Sequence, residues 1–155
     1  MNKENIEKML YNYKKLDSWI DDCEKELQQL RDRISVHYSV GISTISDMPH
    51  GTGTSDNTYS AVEKIDKLRE IYVVRCNKLA KDISQLYKQK ELVEYILPRL
   101  KPLMQDIVKY RYFQNLVWKD IYIHNESIDE STWHKANTKL FSDINRLIGE
   151  KKTGI

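Results

Sequence analysis

The chain has 155 residues, of which 31% are charged and 40% hydrophobic, with only 5 Gly and 3 Pro; that length holds one sizeable domain, or a long helical element with a small globular one, and excludes two enzymes. The composition favours long solvated helices over strands or a disordered chain, and a formal net charge of +2 excludes a polycation. No early stretch pairs a basic start with the apolar run of a signal peptide, and no apolar run approaches the roughly 20 residues that span a bilayer, so a cytoplasmic protein without membrane contact is expected.

From Met9 the apolar positions fall at Tyr13, Leu16, Ile20, Cys23, Leu27, Leu30 and Ile34, in steps of four and three. That is a heptad seam, with Lys, Glu, Asp, Gln and Arg filling the solvated positions between. Trp19 lies beside it. A connection over residues 39–58 follows, holding Gly41, Gly51, Gly53 and Pro49 among many Ser and Thr, a composition that ends helices. Within it Ser55 or Asp56 is suited to cap the next helix. Gly51, Thr52 and Gly53 lack the Lys and the preceding strand of a phosphate loop, and Asp47, His50 and Asp56 are too scattered to predict a metal site.

A second seam runs through Ile65, Leu68, Tyr72, Cys76, Leu79, Ile83, Leu86 and Val93, interrupted by Lys90. Its length matches the first, so residues 1–97 are expected to form a long antiparallel coiled-coil helical hairpin. Cys23 and Cys76 sit on these stripes without a CxxC or a neighbouring histidine, the pattern of buried reduced thiols. Tyr13, Trp19 and Tyr87 are candidates for a further interface, which makes a homodimer the expected state. Pro98 and Pro102 then interrupt the helix, because proline clashes with the preceding turn, and the domain boundary is expected there.

Residues 98–155 carry 10 Lys+Arg against 7 Asp+Glu, whereas residues 1–97 carry 15 against 16, so the C-terminal segment is the side expected to face phosphate. Leu103, Met104, Ile107, Val108 and Tyr112 give a first helix over residues 103–113 its apolar face, and Asn115, tolerant of the left-handed conformation, ends it. Trp118 and Ile121 give a short second helix a buried side. After a polar turn with Ile128 as an apolar plug, Asp129 is placed to cap a third helix. On that helix Trp133, Ala136, Leu140, Ile144 and Leu147 form the inward stripe. Its opposite side presents Ser131, Thr132, His134, Lys135, Thr138 and Lys139, side chains that bond to base edges or phosphates. Arg111, Lys119, Lys151 and Lys152 are candidates for phosphate contact. The whole reads as all-α: the hairpin, then a helix-turn-helix.

The run VKYRYFQNLVWKDI over residues 108–121, followed by IDESTWH over 128–134, resembles the sigma-70 region 4-like helix-turn-helix of phage-encoded late-gene transcriptional regulators of the RinA and ArpU type. The run SDMPHGTGTSD over residues 46–56 is similar to a segment that recurs ahead of that domain. The resemblance implies a sequence-specific DNA-binding activator in the cytoplasm of a bacterial host, bound to double-stranded DNA and acting with host RNA polymerase. The chain departs from the pattern at Tyr122, where a small residue is usual, and at Val117, where a capping Ser is usual. Two other readings fit a helix-turn-helix joined to coiled-coil helices: a small terminase-like packaging subunit, or a phage protein that grips a host protein. No acid and base stand at catalytic spacing and no nucleotide loop is present, so neither an enzyme nor a cofactor is expected.

Overall fold

A computed structural model describes the backbone of residues 1–46 and 56–154, and side chains over 1–36 and 60–154. The chain is all-α: no strand occurs among the described residues. Two long helices, α1 (Lys3–Ser46) and α2 (Asp56–Ile96), are followed by a 3-10 turn (Leu97–Arg99), α3 (Pro102–Ile107) with a π-helical continuation (Val108–Phe113), α4 (Trp118–His124) and α5 (Glu130–Thr153). Helix α1 stays helical through Gly41 to Ser46, into the stretch expected to be connection, since one glycine costs a helix interior only about 1 kcal/mol. The phosphate, metal and capping readings of residues 47–56 fall on or beside 47–55, and lie outside the described residues.

The chain forms two compact units, Ser18–Gln85, and Met1–Asp17 together with Leu86–Ile155. In the first, α1 and α2 run antiparallel around a small core of Leu27, Leu30 and Leu79, against which Cys23, Tyr72, Cys76 and Ile83 pack. Heptad spacing explains it: those residues share one stripe on each helix. The Arg75 guanidinium donates to Glu26 across the pair at 2.7 Å. Leu68, expected in the seam, is 41% exposed. Both cysteines are free thiols and half-buried, and burial raises the Cys23 pKa, with the Asp82, Glu26 and Asp22 carboxylates adding to the effect. A raised pKa keeps the thiol protonated and unreactive. Replacing Leu79, which is 2% exposed, by Ala should cost about 2–5 kcal/mol in urea unfolding, while Lys25→Ala on the solvated face should be nearly silent. Equal losses would mean that the core lies elsewhere.

The second unit holds the larger core. Val93 and Ile96 from the end of α2 and Ile6, Met9 and Leu10 from the start of α1 join Leu100, Met104, Ile107, Val108, Tyr112, Ile121 and the inner stripe of α5 in one buried cluster. Pro98 and Pro102 do interrupt the helix, with Pro102 at the first position of α3, yet the apolar cluster runs straight across that point. Aromatic contacts fasten the start of α1 to the π-helical stretch. Tyr11 meets Tyr112 edge-on at 5.0 Å and Tyr13 stacks on Phe113 at 4.8 Å. Tyr13, expected at a further interface, is therefore engaged inside this unit. Asp17 accepts a 2.6 Å bond from Lys90, the residue that interrupts the second seam.

Candidate nucleic-acid interface

Helix α3 was expected to run regularly to residue 113. Instead its last turn widens into a π-helix, in which the Gln114 N–H reaches back five residues to Lys109 at 3.0 Å. Asn115 then reverses the chain at φ 57°, the left-handed conformation expected of it. The widened turn buries Tyr112, whose hydroxyl donates to Asn137 Oδ1 of α5 at 3.2 Å. Burial drives the Tyr112 hydroxyl above its ordinary pKa, so it stays protonated and remains a donor.

Val117 occupies the N-cap of α4 in extended geometry with no side-chain cap bond. Its carbonyl accepts from Asp120 and Ile121, and the Asp120 carboxylate in the first turn favours the helix N-terminus electrostatically. Ile121 is fully buried and Trp118 half-buried, as the short apolar pattern predicted. Asp129 takes the N-cap of α5 with its backbone carbonyl, but its carboxylate accepts from the Thr132 hydroxyl and not from a backbone N–H. At the far end Gly154 adopts φ 72° and returns its N–H to Glu150, and Lys151 and Lys152 sit where the helix dipole favours cations.

The contact between α4 and α5 is aromatic. Tyr122 and His134 Nε2 are 2.7 Å apart in a hydrogen bond, and the His134 ring lies 4.9 Å from that of Trp118. The bulky Tyr122 thus fills, with a side-chain bond, the contact that a small residue would leave to close helix approach. Burial raises the Tyr122 pKa and the Glu130 carboxylate adds to it. Tyr110 stacks flat on His124 at 4.5 Å and ties the π-helical stretch to the end of α4. Tyr122→Phe should lower stability by about 0.5–1 kcal/mol, the low end for a hydrogen bond because this one is exposed. A loss above that in thermal unfolding would mean that the bond holds more than the α4–α5 angle.

Helix α5 buries Trp133, Ala136, Leu140, Ile144 and Leu147 as predicted, together with Phe141 and Ile148. Ser131, Thr132, His134, Lys135, Thr138 and Lys139 are all exposed. They are not equivalent. His134 is held by Tyr122, the Thr132 hydroxyl donates to Asp129, and the Thr138 hydroxyl donates back to the His134 carbonyl at 3.0 Å. Arg111 is half-buried and donates to the Leu116 carbonyl at 2.9 Å, so it braces the chain before α4 and is not extended toward a partner. Lys119 is exposed on α4. Two residues of the same outward face were passed over. Ser142 and Asn145 continue the line of Ser131, Lys135 and Thr138 in steps of four and three, and both are exposed, with Asn145 Oδ1 accepting from the Met1 ammonium at 2.9 Å. The helical period, carried past Lys139, was the signal for them.

Among the described residues no helix is long and apolar enough to cross a membrane, and no group of three His, Cys, Asp or Glu side chains is arranged to hold a metal ion. Comparison with protein-family models, curated proteins and solved structures finds no match to this chain.

Proposed function

We propose that this chain is a sequence-specific double-stranded DNA-binding protein, a transcriptional regulator of the phage late-gene type, whose α5 enters the major groove. The observation that carries the reading is the division of α5: its apolar stripe is buried down to Trp133 at 0% exposure, while Ser131, Lys135, Thr138 and Ser142 stand exposed on the other side, after a short helix and a tight turn. A helix embedded on one face and lined with hydroxyls and ammonium groups on the other has the shape and the chemistry of a groove reader. The resemblance of residues 108–134 to a sigma region 4-like domain supports host RNA polymerase as the protein partner.

Gel-shift measurements of the purified chain against duplexes selected from a random-sequence pool, repeated at several salt concentrations, test this. The expected result is enrichment of a defined sequence and an affinity that falls steadily with salt. Binding that ignores salt, or a pool that never converges, removes the reading and favours a protein partner.

A further inference from the structure

Lys101, the N-cap residue of α3, lines a cleft with the first three turns of α5. Lys101, Thr132, Lys135 and Lys139 line it together with Leu103, Met104 and Ala136, around a volume of about 210 Å³. That volume is below the roughly 300–1,000 Å³ of pockets that take small organic ligands. Three lysines from two separate elements line this one cleft, and its size suits a single compact anion. Among the described residues none of the three is engaged by a carboxylate. Lys135 and Lys139, one helical turn apart, repel each other, a cost that an anion between them removes. The apolar atoms of Leu103, Met104 and Ala136 also line the cleft, and apolar surroundings strengthen attraction between opposite charges.

We propose that this cleft seats one backbone phosphate of duplex DNA. The proposal rests on the DNA-binding reading above and deepens it: Lys135 and Lys139 of α5, with Lys101 of α3, clamp the sugar-phosphate backbone, and Ser131, Thr138 and Ser142 are left to face the base edges. It reassigns Lys135 from reading sequence to fixing register, because a phosphate contact carries no sequence information of its own. It also makes α3 part of the interface.

The test compares the parent chain with Lys101→Gln, Lys135→Gln, Lys101→Arg and, as a control on the other unit, Lys81→Gln. The probes are a selected duplex and a random-sequence duplex, titrated over a range of salt, with circular dichroism confirming that each variant folds. The expected result is that Lys101→Gln and Lys135→Gln each weaken both duplexes by the same factor and each lower the salt slope by about one, that Lys101→Arg restores both, and that Lys81→Gln changes nothing. If Lys101→Gln behaves like Lys81→Gln while the parent binds well, the cleft is overturned and the DNA-binding reading stands. If Lys135→Gln weakens the selected duplex alone, Lys135 reads bases and the cleft assignment falls. If the parent binds neither duplex at any salt, both fall together.

Discussion

A fragment that begins at Pro98 should not fold: its far-UV circular dichroism should show little helix and its melt no cooperative transition. The helix-turn-helix segment is complete in sequence terms within residues 98–155, but its core is not. Ile6, Met9 and Leu10 from α1, and Val93 and Ile96 from α2, are each at most 7% exposed and belong to the same buried cluster as Trp133 and Leu140. Burying one such side chain is worth about 1.5–3 kcal/mol, so deleting five forfeits on the order of 10 kcal/mol, against a total stability of about 5–15 kcal/mol for a typical domain. A segment of that size has no reserve to absorb the loss. In the full chain Ile6→Ala alone should cost about 2–5 kcal/mol. A cooperative melt from the isolated segment would show that the long helices are dispensable to it.

Trp133→Ala should be the most damaging single substitution on α5, at about 3–5 kcal/mol. Trp133 is fully buried beside the α4–α5 turn and is the largest side chain in the core, so its removal leaves a cavity at the point where the two helices meet. The neighbouring exposed position supplies the contrast. Lys135→Ala should leave the urea midpoint followed by circular dichroism unchanged, since its side chain stands in solvent. A Trp133→Ala chain with parental stability would mean that α5 is held by something other than its apolar stripe, and the outward face assigned here would have to be redrawn.

Much of the local structure was legible because it depends on short-range rules. Asn115 takes the left-handed conformation because its backbone tolerates it, Asp129 sits at the head of α5, and the apolar period of α5 predicted Trp133, Ala136, Leu140, Ile144 and Leu147 as buried, though not Phe141 or Ile148. The interface was less legible, since exposure alone does not free a side chain. His134 and Thr132 are exposed, as Lys135 is, yet each is already bonded, to Tyr122 and to Asp129. Arg111, in the π-helical turn that no periodicity announces, bonds the Leu116 carbonyl.

The sequence by itself determined that the chain is helical, where its two heptad stripes lie, and which side of α5 is apolar, because spacing along one helix sets which residues share a face. Only the tertiary structure decided that the ends of α1 and α2 complete the core around Trp133, that Tyr122 and His134 join α4 to α5, and that Lys101 lines one cleft with Lys135 and Lys139. These are contacts between residues far apart in sequence or on different helices. Their partners are chosen by how the helices pack, and no period within a single helix encodes that choice.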